Sequence, residues 1–274
     1  MINCQSLVRR AFAKRVAVQP NAQGVKKYAD FRSDTVTKPC DKMRDAMANA
    51  VVGDDVFGDD PTIKKLEDEV AKLLGKESSL FVSSGTQANL ISMMIICPLK
   101  GESVIMGDLC HVAQYERGGI GSIAGIMPQI LPNLSDATMD LKRIEYSIFP
   151  SEDPHIVKTR GLTLESSAQS FNGKCIKPDY FTQVKKICKK NKLTMHLDGA
   201  RSWNAAVALD MEMSEMVKEF DLINVCMSKG MGCPVGSVIV GSEQDMFRAK
   251  TLRKMLGGGM RQAGHLAAAG LVSL

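Results

Sequence analysis

Between residues 60 and 241 short apolar runs alternate with helical patterns, and this alternation constrains the chain more than any other feature. Strands are predicted over 80–82, 103–106, 125–131, 161–164, 193–197, 221–226 and 237–241. Helices stand between them. Asp60-Pro61 opens one with a capping carboxylate and a proline in its first turn. Ile63, Leu66, Val70 and Leu73 line one face of it, and Gly75 closes it. The stretch 90–98 reads as a core helix and 178–190 as a polar-faced one. Strands alternating with helices imply βαβ units, hence an α/β fold with a mostly parallel sheet covered by helices on both faces.

The net charge of +5 does not belong to this fold. Arg9, Arg10, Lys14, Arg15, Lys26 and Lys27 precede the first acid, Asp30, which leaves 29 basic against 30 acidic side chains for residues 30–274. A near-neutral body excludes nucleic acid as a general partner. No apolar run approaches the roughly 20 residues that span a bilayer, so no membrane insertion is expected. Leu7, Val8, Ala11, Phe12 and Val16 recur at near-helical spacing among the charges, which fits a mitochondrial presequence over 1–29, with a cytosolic extension as the alternative. The eight cysteines form no CxxC pair, and the histidines 111, 155, 196 and 265 share no ligand-like spacing with them. Reduced, mostly buried thiols are expected and no metal.

In an open α/β sheet, ligands bind at the carboxyl ends of the strands. The run 193–197 leads into Asp198-Gly199-Ala200-Arg201, and 221–226 into Met227-Ser228-Lys229-Gly230. The strand at Leu80 ends in Ser83-Ser84-Gly85-Thr86, and the one at Ser103 runs on towards His111. A lysine at the rim of a desolvated pocket has the lowered amine pKa that a Schiff base needs. A carboxylate at a nearby strand end could keep a pyridinium nitrogen protonated, and Ser84-Gly85-Thr86 at a helix start could hold a phosphate. Taken singly, Lys229 also reads as a surface turn and Ser84-Gly85-Thr86 as an ordinary capped turn. The phosphate loop, dinucleotide fingerprint, nucleophile elbow and HExxH zinc motif are all missing. Asp54-Asp55 and Asp59-Asp60 lack calcium-loop spacing and read as a loop and a helix cap. Gly257-Gly258-Gly259 reads as a flexible linker, or, with Arg253, Lys254 and Arg261 as flanks, as a phosphate contact.

Six ordered motifs carry a resemblance: Asp30-Phe31-Arg32-Ser33-Asp34-Thr35-Val36-Thr37; Val52-Gly53-Asp54-Asp55-Val56-Phe57-Gly58-Asp59-Asp60-Pro61-Thr62; Ser84-Gly85-Thr86-Gln87-Ala88-Asn89; His196-Leu197-Asp198-Gly199-Ala200-Arg201; Ser228-Lys229-Gly230; and Gly257-Gly258-Gly259-Met260-Arg261-Gln262-Ala263-Gly264. In these the chain resembles the low-specificity L-threonine aldolases from Asp30 to Leu274. The resemblance implies a fold type I, pyridoxal 5'-phosphate-dependent lyase, with residues 30–274 as its large cofactor-binding domain. The implied reaction splits L-threonine or L-allo-threonine into glycine and acetaldehyde, in threonine catabolism or glycine biosynthesis. Lys229 is then the catalytic lysine that carries the cofactor, Asp198 the partner of its ring nitrogen, and His111 the catalytic histidine that stacks on its ring and assists proton transfer. Gly85 and Thr86 would hold the phosphate, with Arg261 from a neighbouring subunit of a homotetramer. Ser33, Tyr115 and Arg201 would meet the substrate, Arg201 also lying among the cofactor contacts.

Two departures stand out. Where the family reads Leu-Glu-Asn-Thr-His, this chain has Leu164-Glu165-Ser166-Ser167-Ala168, so a proton-bearing histidine is replaced by Ala168. The chain also stops on an apolar helical segment, 263–274, where the family continues into a smaller C-terminal domain; that domain is expected to be absent and the large domain truncated. The alternatives are a catalytically weak or silent cofactor-binding paralogue, or another fold type I amino-acid enzyme such as a transaminase.

Overall fold

The computed structural model describes residues 29–149 and 153–274. The six basic side chains of the expected presequence, and Cys4, lie outside the described residues. The chain divides into two compact units, one ending at Ser33 and the other running Asp34–Leu274.

After a 3-10 turn at Asp34–Val36 come helices α1 (Asp41–Ala48) and α2 (Pro61–Leu73), then strand β1 (Ser78–Val82) and α3 (Gly85–Ile96). The chain continues through β2 (Ser103–Gly107), α4 (His111–Gln114), α5 (Gly119–Ser122), β3 (Met127–Leu131), α6 (Leu141–Tyr146) and β4 (Thr159–Glu165). It then runs through α7 (Pro178–Lys190), β5 (Thr194–Asp198), α8 (Ser202–Leu209), α9 (Met213–Val217) and β6 (Leu222–Cys226). Strand β7 (Ser237–Gly241) and helices α10 (Glu243–Met255) and α11 (Gly264–Ser273) complete it. Every predicted strand is present.

The seven strands form one sheet in the order β1-β7-β6-β5-β4-β2-β3. From β6 through β3 all neighbours are parallel, whereas β7 runs antiparallel to both β6 and β1. The exception has a simple cause. The link 227–236 holds no helix, and a parallel return needs a crossover of a dozen or more residues. Side chains alternate along the strands. Phe81, Ile105, Met195, Leu197, Ile223 and Val238 face the core beneath α2, α7, α8 and α11. Leu80, Val82, Val104, Met106, Leu222 and Ile239 face a second core beneath α3 and α10. Both faces are covered, as the continuous apolar runs require. Phe181 of α7 meets Phe220 edge-on at 4.9 Å, a favoured aromatic geometry.

The acidic pairs are structural. Asp60 caps α2 by accepting from Thr62 and Ile63 N–H, both at 3.0 Å, and takes Gly264 N–H at 2.9 Å, pinning α11 to the same point. Asp55 is buried and accepts from Arg253 Nη2 at 2.6 Å, while Arg253 Nη1 donates to the Phe81 carbonyl at 2.6 Å. Arg253 is therefore not the phosphate contact that its place beside the glycine run suggested. It is 1% exposed, and both of its terminal nitrogens are taken by Phe81 and Asp55.

Beside that pair, Glu67 accepts the Phe81 N–H at 2.7 Å, covering the outer edge of β1. Burial, with Asp55 adding to it, pushes its carboxyl from the usual 4.5 up to about 7, only partly offset by the Phe81 N–H, Arg253 and Lys250. Between those two values the unfolded chain loses the proton before the folded one does. Stability should therefore fall as pH rises across the window and stay lower above it, by up to about 3 kcal/mol. Glu67→Gln keeps the acceptor and removes the charge. Its urea midpoint should exceed the parent's at pH 8 and match it at pH 4; equal shifts at both would refute the assignment.

Candidate active site

The pairing of the parallel strands sets Glu165 beside Asp198 and Asp198 beside Asn224. Three polar side chains thus form a row across β4, β5 and β6, Glu165 and Asp198 ending their strands and Asn224 lying within β6. Asp198 and Asn224 are almost fully buried. Asp198 Oδ1 accepts from Ala200 N–H at 3.1 Å, and Oδ2 from Asn89 Nδ2 at 2.8 Å. Among the described residues no cation is ion-paired with it, although a buried anion is costly without one. The site therefore presents a desolvated carboxylate in want of a positive partner.

Helix α3 begins over this row. Ser84 caps it by accepting from Gln87 N–H at 3.1 Å, which leaves the first two amides, Gly85 and Thr86, without intrahelical acceptors. Gly85 has to be glycine, because a Cβ there would lie 2.7 Å from Cys226 Sγ. The glycine run closes on the same helix start: a Cβ on Gly258 would strike the Gln87 amide. Bare amides at the positive end of a 12-residue helix make a ready anion seat.

Lys229 lies in the loop after β6. Its carbonyl accepts from Thr37 Oγ1 at 2.8 Å and from Gly232 N–H at 2.9 Å, so the backbone is held from both sides. The half-buried side chain reaches the Cys226 thiol, which burial keeps protonated, and its charge is felt by Asp34 and His111. His111 opens α4, where its own N–H donates to Glu165 at 2.8 Å. Its Nδ1 lies 2.9 Å from Glu116 Oε1. An ionised carboxylate only accepts, so Nδ1 carries the hydrogen and Nε2 is left for other work. The Glu116 hydrogen bond raises the His111 pKa against the opposing effect of burial, and burial raises that of Glu116. Tyr115 packs against His111 with ring centroids 5.4 Å apart.

Arg201 is committed to a partner that its motif did not disclose. Its Nε and Nη2 donate to the two Asp34 oxygens at 2.8 Å each, a bidentate clamp. Nη1 turns to Gln169 at 3.4 Å. Arg261, on the exposed loop before α11, pairs with Asp54 at 3.0 Å. Ser33 belongs to the first unit. Ala168 is buried, with its N–H donated to the Lys174 carbonyl and its own carbonyl accepting from Phe171 and Gly173. No proton-bearing side chain stands at that position.

Sequence reasoning gave no role to Asn89, Asn224, Glu116 or Asp34, although Asn89 and Asp34 lie within the quoted motifs. It also missed a cluster. One ligand atom each from His111, Glu116 and Asp198 lie within 4.8 Å of one another, close enough to take a cation. Asn89 Nδ2, however, donates to both carboxylates at 2.8 Å and occupies lone pairs that a metal would use.

Residues 30–274 match the model of the beta-eliminating lyase family. Low-specificity L-threonine aldolase 1 of Arabidopsis thaliana is 50% identical over 251 residues, 91% of this chain and 70% of that protein. The low specificity L-threonine aldolase of Escherichia coli K12 is 43% identical over 245 residues, 89% of this chain and 72% of its own. A threonine aldolase structure from Leishmania major superposes with a TM-score of 0.77 at 22% identity, covering 88% of this chain and 70% of that one. A putative L-allo-threonine aldolase from Listeria monocytogenes gives 0.74 at 22% identity, with 84% of this chain and 63% of that one covered. At such identity the structures speak for the fold, which agrees with the sheet described above.

Proposed function

From the premise that this chain belongs to the beta-eliminating lyase family, and within it to the low-specificity L-threonine aldolases, we infer that it is a pyridoxal 5'-phosphate-dependent lyase. It cleaves L-threonine and L-allo-threonine to glycine and acetaldehyde. One observation carries the reading: the buried, cation-less Asp198, the Lys229 loop and the bare amides of Gly85 and Thr86 share the carboxyl edge of one sheet. These residues fit the cofactor group by group. The amides and the Thr86 hydroxyl suit its phosphate, Asp198 its protonated ring nitrogen, and Lys229 its aldehyde.

When bound, the cofactor supplies an electron sink for the pair released as the Cα–Cβ bond breaks. The chain does the rest. His111, its Nδ1 hydrogen fixed on Glu116, offers Nε2 to the substrate's β-hydroxyl proton, and the raised pKa favours keeping that proton. Loss of this proton lets the alkoxide collapse to aldehyde while the Cα–Cβ bond opens. Arg201, its Nε and Nη2 held by Asp34, turns its Nη1 to the substrate carboxylate, and Tyr115 borders the His111 ring. With Ala168 unable to carry a proton, the hydroxyl chemistry rests on His111. Arg261, exposed and with its guanidinium on Asp54, would serve the phosphate of a neighbouring subunit in a homotetramer; a monomeric mass by light scattering would remove that role.

Incubation with pyridoxal phosphate and either isomer should release acetaldehyde, followed by alcohol dehydrogenase and NADH, together with one glycine per aldehyde. Cofactor binding without either product would replace this reading with a silent paralogue.

A further inference from the structure

A chain of buried amides crosses the site and ends on its two carboxylates. Gly199 N–H donates to Asn224 Oδ1 at 3.1 Å, and Asn224 Nδ2 donates to Asn89 Oδ1. Asn89 Nδ2 then donates to Asp198 Oδ2 and Glu116 Oε1, both at 2.8 Å. Asn89 is 1% exposed and Asn224 fully buried. Carboxylates accept and do not donate, so Nδ2 must face them, and the backbone N–H fixes Asn224 the same way round. Neither amide can flip without placing an oxygen against an oxygen. The Gly199 backbone just past β5 thereby sets the direction of every hydrogen bond as far as Glu116, and through it His111 Nδ1 at 2.9 Å.

Resting on the cofactor reading above, we propose that Asn89 is a positioning residue: its amide clamps Asp198 and Glu116 to one nitrogen and so fixes the ring-nitrogen partner and the His111 pair as one rigid unit. Two buried anions held this close repel, and the shared donor keeps them in register. Without it, each carboxylate turns towards whatever donor remains, and Asp198 no longer aims at a fixed point.

Ordinary destabilisation would weaken cofactor binding whatever the cofactor's ring contained. Misaim of Asp198 weakens only the contribution that depends on a protonated ring nitrogen. The probes are therefore pyridoxal phosphate and its 1-deaza analogue, in which carbon replaces that nitrogen, titrated into the cofactor-free protein by quenching of Trp203 fluorescence or equilibrium dialysis. The parent should favour pyridoxal phosphate. In Asn89→Leu, similar in size and without a donor, that preference should shrink about tenfold, with Asn89→Ser as the second variant should leucine prevent folding. Equal loss of both affinities, or an unchanged ratio, overturns the proposal while leaving the cofactor reading intact. A parent protein that binds neither compound overturns both.

Discussion

Lys229→Ala should yield a folded protein that binds pyridoxal phosphate only reversibly and has lost at least about 10³-fold in turnover of threonine. The fold should survive because its ties to this residue run through the backbone. Thr37 Oγ1 and the Gly232 N–H both donate to the Lys229 carbonyl, which alanine retains. The side chain is half-buried, forms no salt bridge among the described residues, and reaches the Cys226 thiol. Its removal leaves a neutral sulfur beside a small gap and no stranded charge. The chemistry has no such substitute, since Lys229 is the amine placed on the same sheet edge as Asp198 and the α3 start. Borohydride reduction followed by peptide mass spectrometry measures this directly. The parent should carry a stable phosphopyridoxyl group on the peptide containing Lys229, and the variant should release all cofactor on gel filtration. A labelled peptide elsewhere, or activity within tenfold of the parent, would remove Lys229 from its role.

What could be read in advance followed from how far each signal reaches along the chain. Lys229, Asp198 and Ser84-Gly85-Thr86 were visible because each follows its own apolar strand, and strand ends in such a sheet share one edge. Position in sequence was already position in the site. Asn224 was invisible for the opposite reason: it lies within an apolar strand and looks like a tolerated polar residue until β5 sets it beside Asp198. Asn89 lies one turn inside α3, and only packing over the sheet reveals that it faces two carboxylates. Arg253 misled because the glycine run beside it signals an exposed loop. Its helix instead buries it against Asp55, a partner far away in sequence. Arg201 was found, but its fork proved to be taken by Asp34, which local spacing could not announce. The antiparallel β7 was legible in principle, since a link without a helix cannot make a parallel crossover.

Asp198 offers the sharper test, because its predicted effects on stability and on function have opposite signs. In the cofactor-free protein Asp198 is a buried carboxylate held by two neutral donors and by no ion pair, a state that costs folding energy. Asp198→Ala should therefore melt at the same temperature as the cofactor-free parent or above it, the lost hydrogen bonds offsetting the relieved anion. With cofactor the order should reverse. The parent gains stability from pyridoxal phosphate by mass action, and the variant should gain far less. Turnover should drop by roughly 10²–10³-fold, the usual cost of removing one preorganised charge from where a transition state needs it. Asp198→Asn separates charge from shape. Its amide must point a hydrogen at either the Ala200 N–H or the Asn89 NH2, so one buried donor loses its acceptor, at about 1–3 kcal/mol. Asparagine should then be less stable than alanine without cofactor, and scarcely more active with it. If Asp198→Asn instead keeps parental stability and turnover, the carboxylate's charge is not what the site uses, and its want of a cation is a feature of folding alone.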